Sequence, residues 1–322
     1  MEEKMKAWIL EGPGDLQLRE IPVPVPGDGQ VLVKIDRSCS CNGSDPGIFH
    51  GHEAYQTPLV FGHEASGEIV ETVGDTGFAP GDRICWWFES GAFAEYQVVS
   101  PQKTAVFRVP GNLSREACPI MELVLAACRA LMGKPAARDR QKLLICGLSP
   151  SGQVLLQYAR ALGYQKITGW DLYESRRKLA LSLGIDEVAD PSFLRTEELE
   201  CAEAFDTAIL AMGDDLLPGE PAADLVIRSL RPGGTLISYG HPEHGLRMNP
   251  YLFQSRSLVM MSPENNMDRI RFYGQQVIEL VEQERIRVEP LISHKKHFSE
   301  LRDTFLDLME HPENYMKVVY HW

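Results

Sequence analysis

Residues 142–171 read KLLICGLSPSGQVLLQYARALGYQKITGWD. KLLIC has the length and composition of a short buried strand, SGQVLLQYARALG is a helix that stops at Gly163, and KITGWD is a second strand. Strand, helix and strand in succession place the two strands parallel, and the stretch therefore predicts a doubly wound parallel sheet. The alternation continues outward. ESRRKLALSLG predicts a helix ending at Gly184, FDTAILAMG and GGTLISYG predict later strands, and LVMMS at 258–262 closes the series.

Before residue 124 the rhythm is different. KAWIL, DLQLRE and QVLVKID alternate apolar and polar positions between Gly and Pro clusters, and SGEIVETVG, DRICWWF and AEYQVV do the same. This pattern predicts antiparallel β structure. Near the C-terminus, DRIRFYGQQVIELVEQ and ELRDTFLDLMEH are amphipathic helical patterns and MKVVYHW is a final apolar strand, a return to the first region. The expected organisation is an α/β protein in two domains: residues 1–123 with 265–322 form a β domain, and residues 124–264 form the parallel-sheet domain.

The chain has 322 residues, enough for two domains, and 44% hydrophobic composition supplies a core to each. Its net charge of -13, from 45 acidic and 32 basic residues, disfavours nucleic acid and anionic membranes. A small-molecule partner fits better. No apolar run approaches the roughly 18 to 20 residues of a membrane span, and MEEKMKAWILEG lacks a signal-peptide core, so a cytoplasmic location is expected. Cys39, Cys41, Cys85, Cys118, Cys128, Cys146 and Cys201 are scattered without a CxxC, which argues against a disulfide framework. Most read as small buried hydrophobes; CSC at 39–41 stands apart because it lies on the approach to His63. The acidic run EELECAEAF at 197–205 reads as a solvated helix face.

Gly147, Leu148, Ser149, Pro150, Ser151 and Gly152 follow the first parallel strand and open a helix, the setting in which backbone N–H groups face a pyrophosphate. Ser149 stands where a dinucleotide fingerprint has its second glycine. Asp171 ends the next strand at the spacing of a ribose-binding carboxylate, and its charge repels a 2′-phosphate, which favours NAD over NADP. Arg176 and Arg177 follow closely, and either is also suited to pair with that phosphate. Gly213, ending FDTAILAMG, and Tyr239, in the SYG turn, complete the expected cofactor set.

GHExxGxxxxxxG at 62–74, GDR at 81–83, GAFAEY at 91–96 and the glycine-rich turn at 147 together resemble the medium-chain dehydrogenase/reductase superfamily. LRPGGTLISYG at 230–240 and PLISHKKHFSELRDTFLDL at 290–308 extend the resemblance along the chain. It implies a GroES-like β catalytic domain with a Rossmann domain inserted, oxidoreductase chemistry with a nicotinamide cofactor, and a homodimer or homotetramer. In zinc-dependent members the matching metal positions are Cys41, His63, Glu64 and Glu122. A thiolate, an imidazole and carboxylates suit a tetrahedral borderline-soft ion. Glu122 stands in PIMELVLAACRA, where Leu123 replaces the proline of the polyol dehydrogenase branch.

The first ligand has two registers. Counting back from Asp45 in CNGSD puts Asn42 in the cysteine's place, as in zinc-free quinone reductases; counting forward from VLVKID puts Cys41 there. Cys41 is the better choice, because the alternative leaves a site with no thiolate. Asp45 is then expected to accept from the second ring nitrogen of His63, and Ser44 to relay the substrate proton; the competing reading of both is a surface turn. The chain runs from Ile84 directly into WWFESGAFAEY without the four-cysteine lobe of many relatives, so one catalytic zinc is expected and no structural one. Trp86, Trp87, Phe88 and Phe93 either wall the substrate site or fill the core. His50, His52, Glu89, His241 and His244 are polar loop residues that either contact the substrate or are solvated or bonded in the core. Lys317 resembles a basic residue that reaches the pyrophosphate, the alternative being a solvated lysine. The expected activity is NAD-linked, zinc-dependent oxidation of a secondary alcohol or polyol, or the reverse. A zinc-free NADPH-dependent quinone or enone reductase and a non-catalytic NAD-binding sensor or scaffold are the competing functions.

Overall fold

The computed structural model describes residues 3–52, 55–134, 141–194, 205–212, 221–241 and 245–322. Eight strands come first: β1 (Lys4–Gly12), β2 (Asp15–Pro22), β3 (Gln30–Cys39), β4 (Leu59–Val60), β5 (Glu64–Val73), β6 (Arg83–Trp86), β7 (Tyr96–Val99) and β8 (Val106–Arg108). Then follow β9 (Lys142–Cys146), β10 (Lys166–Trp170), β11 (Glu187–Ala189), β12 (Phe205–Leu210), β13 (Leu230–Ser238) and β14 (Val259–Met261). β15 (Ile292–His297) and β16 (Lys317–His321) end the chain. Two compact units result: Met1–Ala126 with Asn266–Gln283 and Val288–Trp322, and Ala127–Asn265 with Glu284–Arg287.

In the first unit β2, β1 and β4 form one sheet, and a larger sheet runs β15-β16-β3-β5-β6-β8 with β7 also paired to β3. β3 is therefore flanked by β5 and β16, both antiparallel to it. The β3–β5 register runs from Gln30 opposite Val73 to Cys39 opposite Glu64. Alternation buries Val31, Val33 and Ile35 against Ala65, Ile69, Ile84 and Trp86. A second cluster gathers Phe61, Phe93, Phe305 and Tyr320, with neighbouring ring centroids 5.5–5.8 Å apart. These two cores fix the ends of β3 and β5, where the chemically distinctive side chains lie.

In the second unit every neighbouring strand pair is parallel and the order is β11-β10-β9-β12-β13-β14. β9 sits where the order reverses, and Leu143 through Cys146 are all buried, as a strand covered on both faces requires. The helix Pro150–Ala161 follows it. Among the described residues β14 has no strand on its outer edge, and Val259 is 52% and Met260 40% exposed. The acidic run at 197–204, with Cys201, lies outside the described residues. The six described cysteines are free. Among the described residues no helix is long and apolar enough to cross a membrane.

Candidate functional site

The end of β3, the start of β5 and the helix Ser44–His50 converge. Cys41, His63 and Glu64 each offer one ligand atom, and these atoms lie within 4.8 Å of one another. His63 is placed by Gly62, whose φ of +78° is open to glycine and whose missing Cβ would stand 2.5 Å from the Phe93 ring. Asp45, fully buried, serves both neighbours: its Oδ2 accepts from the Cys41 backbone N–H at 2.9 Å and its Oδ1 lies 3.2 Å from His63 Nδ1. That orientation frees Nε2 for the cluster. Ser44 Oγ donates to Cys41 Sγ at 3.2 Å and stands 3.4 Å from His63 Nε2. Ser44 and Asp45 are both buried, so neither belongs to an exposed turn. Burial alone would depress the His63 pKa, but the adjacent Asp45 charge and hydrogen bond outweigh it and raise the pKa well above the usual value.

Glu64 is held more tightly. Lys317 Nζ lies 2.5 Å from both of its carboxylate oxygens and 2.9 Å from the carbonyl of Ser40. Cys39 Sγ donates to Glu64 Oε2 at 2.8 Å. Lys317 is 1% exposed, and Glu64 outweighs the burial that would otherwise lower the lysine's pKa, which rises. This corrects both expectations for Lys317. It is not solvated, and its three N–H donors are matched by three acceptors in its own unit, leaving none for a pyrophosphate. The physical cause is the pairing of β16 with β3, which buries an ammonium that Glu64 neutralises.

Glu122, 2% exposed, lies outside the three-residue cluster; its Oε1 accepts from the Phe88 backbone N–H at 3.2 Å. Burial first, and then the repulsion of Glu64, push its carboxyl up to about 7 against the pull of His63 and Lys317. The amide of Asn42 donates to the carbonyl of Met316 at 2.9 Å, whereas the Cys41 thiol joins the cluster. Among the four aromatics, Trp86 and Phe93 are fully buried core. Phe88 is 40% exposed, has a φ of +43°, and its ring centroid is 4.8 Å from that of His63. His50, His52, Glu89 and His241 are not in the cluster; His244 and Gly213 lie outside the described residues.

The second unit carries the glycine-rich turn. A Cβ on Gly152 would lie 2.1 Å from the carbonyl oxygen of Gly147, so only glycine permits this strand-to-helix approach. Ser149 occupies the position before the helix without a side-chain capping bond, and Pro150 opens it. Tyr239 donates its hydroxyl to Ser151 Oγ at 3.2 Å. Asp171 is already engaged: Oδ2 accepts from Leu148 N–H at 2.7 Å and Oδ1 from Tyr173 N–H at 2.8 Å. A carboxylate has about four lone-pair sites, so acceptor capacity for a ribose remains. Arg176 Nη1 lies 3.8 Å from Asp171 Oδ2, and its guanidinium sits 4.5 Å over the Tyr173 ring. Arg177 is turned instead to the carbonyls of Asp171 and Leu172 and to Asp190.

Sequence reasoning singled out the CSC stretch but not the contact of Cys39 with Glu64, and it missed Tyr173. The available signal for Cys39 was its position two residues before Cys41 on a strand end; the decisive fact, its register opposite Glu64, needs the β3–β5 pairing.

Residues 27–111 match the family described as Alcohol dehydrogenase GroES-like domain, and residues 150–281 match Zinc-binding dehydrogenase. The chain is 27% identical to L-threonine 3-dehydrogenase of Pyrococcus furiosus, over 95% of each chain. It is 26% identical to sorbitol dehydrogenase of Halalkalibacterium halodurans, over 92% of this chain and 94% of that one. Galactitol-1-phosphate dehydrogenase from Escherichia coli shares the fold, with a TM-score of 0.84 at 21% identity over 98% of this chain and 100% of the other. So does a zinc-binding dehydrogenase from Sinorhizobium meliloti bound to NADP, with a TM-score of 0.83 at 23% identity over the whole of both chains. With both domain families matched in chain order, the chain belongs to the medium-chain dehydrogenase/reductase superfamily.

Proposed function

We propose that this protein is a zinc-dependent dehydrogenase that interconverts a polar secondary alcohol, of the sugar, polyol or cyclitol kind, and its carbonyl with NAD. The observation that carries the reading is the double grip of Asp45, which orients the Cys41 backbone and the His63 ring toward one point that Glu64 also faces. Thiolate, imidazole and carboxylate are the donor set of a tetrahedral zinc site with a position left for a substrate oxygen. Zinc held by Cys41, His63 and Glu64 would supply Lewis acidity that makes a hydroxyl easier to deprotonate, and a nicotinamide cofactor would supply the hydride acceptor. The chain's own residues do the rest. Asp45 fixes the His63 tautomer, and Ser44, touching both Cys41 and His63, is placed to pass the hydroxyl proton onward. The zinc-free reading needs Asn42 at this point, and its amide is engaged by Met316 instead.

The polyol preference rests on Glu122. Its buried carboxyl adds hard, anionic character beside the cluster, which goes with a substrate that engages the site through two oxygens. Vicinal diols and sugar alcohols are expected to show higher kcat/KM than chain-matched mono-ols. A panel in which ethanol, butanol or benzyl alcohol exceeds every polyol and hydroxy acid overturns this reading, and makes the exposed Phe88 ring over His63 the better guide to the substrate.

NAD preference rests on Asp171, which follows β10, accepts from the N–H of Leu148 in the glycine-rich turn and has Arg176 against it. Asp171→Ser removes the repulsion of a 2′-phosphate and releases Arg176 toward it. The variant is expected to shift preference toward NADP by about 1 to 3 kcal/mol, the range for a charged hydrogen bond lost. Titrations followed by nicotinamide fluorescence measure it. Tighter binding of NADPH than NADH by the unmodified protein sinks the NAD assignment and makes Arg176 decisive.

A further inference from the structure

Cys39 stands opposite Glu64 in the β3–β5 ladder, and on the other side of β3 the same residue stands opposite Val319 of β16, the strand that brings in Lys317. The Glu64 carboxylate is thus gripped from two directions, by the Lys317 ammonium at 2.5 Å and by the Cys39 thiol at 2.8 Å. Cys39 has no exposed surface. A buried cysteine ordinarily behaves as a small hydrophobe, but here the sulfur is aimed at an ionic group rather than at apolar neighbours. Its ligand atom is also not one of the three that gather within 4.8 Å. The two thiols of CSC therefore have different surroundings: Cys41 shares the cluster with His63, and Cys39 donates to Glu64 Oε2.

We propose that Cys39 is a positioning residue of the metal centre, its S–H holding the Glu64 carboxylate in the rotamer that faces Cys41 and His63. The inference rests on the zinc reading given above. A glutamate has three side-chain torsions, and an ammonium alone fixes a charge without fixing the carboxylate plane. A second donor on one oxygen, from a neighbouring strand, fixes that plane. Partners of this kind typically change metal affinity by about 10- to 100-fold when removed.

The test uses the full-length protein, depleted of metal and titrated with Co²⁺ against a chromophoric chelator. Cys39→Ala is expected to weaken Co²⁺ by about 10- to 100-fold while keeping the thiolate-to-cobalt absorption per bound ion unchanged. Cys39→Ser, which retains a donor, is expected to recover most of the affinity. Cys128→Ala, a change at an equally buried cysteine outside the cluster, is expected to leave it unchanged and controls for general loosening of the core. The proposal is overturned if Cys39→Ala binds Co²⁺ as well as the unmodified protein, or if Cys39→Ser is as weak as alanine, which would mean packing alone. It is overturned also if the absorption per bound ion falls in Cys39→Ala, since Cys39 would then be a ligand itself. If the unmodified protein shows no thiolate-to-cobalt band, the zinc reading fails and this inference with it; a normal band with an indifferent Cys39→Ala removes this inference alone.

Discussion

Cys41→Ala is expected to empty the metal site, whereas Asn42→Ala leaves it filled. The two residues are adjacent in sequence, and CNGSD carries one residue more between Cys and Asp than the family motif, so the contrast is a direct reading of which one faces the cluster. The geometry favours Cys41: its Sγ is grouped with His63 and Glu64, its backbone is held by Asp45, and the amide of Asn42 donates away to Met316. Zinc content by elemental analysis after metal-replete expression is expected at one per chain in the unmodified protein and in Asn42→Ala, and close to none in Cys41→Ala. Loss of the only thiolate in the cluster should cost more than the about 100-fold that removing an outer partner reaches. The accompanying fall in kcat/KM is expected to be about a thousandfold, equivalent to about 4 kcal/mol of transition-state stabilisation. Zinc lost from Asn42→Ala and kept by Cys41→Ala reverses the register.

How far these features were legible in the sequence depends on whether they are local. KLLIC, the following helix and KITGWD specify themselves, because a buried strand and an amphipathic helix each carry their own period. The parallel order β11-β10-β9-β12-β13-β14 follows from that alternation, yet β11, a three-residue edge strand, shows no period to read. β15 was hidden differently. ISHKKH alternates only between partly exposed and exposed positions, so no apolar face marks it. In the cluster, GHE and CNGSD pointed to His63, Glu64, Asp45 and Cys41 because those residues lie at short spacings within motifs that resemble the family's. Lys317 was misread because its partner is far away in sequence: nothing near MKVVYHW shows that β16 lies against β3 and carries its ammonium to Glu64. Asp171 was found at the end of its strand, but its bonds to Leu148 and Tyr173 depend on the folded turn. Long-range pairing is the common element in what was missed.

Lys317→Met is expected to be the most destabilising single change of this ion pair, by about 3 to 5 kcal/mol, because it leaves the Glu64 carboxylate buried and uncompensated. Glu64 has no exposed surface and Lys317 has 1%, so water does not replace the lost partner. The remaining Cys39 thiol is a weak donor and does not carry a charge. The sign with pH follows from the direction of the lysine's shift. Its folded pKa is raised, so the stabilisation is fully present below the unfolded lysine value of about 10.4 and is lost as pH rises through the folded value. At neutral pH the whole contribution is therefore exposed to the mutation. Urea unfolding of chelator-treated protein measures it without an added cation standing in for the ammonium. The double variant Glu64→Gln with Lys317→Met is expected to recover much of the loss, because a neutral amide in the same place carries far less desolvation cost than an unpaired carboxylate. Lys317→Met costing less than about 1 kcal/mol, the range of a solvent-screened surface pair, means that the ammonium and carboxylate are not buried together in solution, and removes the basis for treating Glu64 as a fixed element of the metal centre.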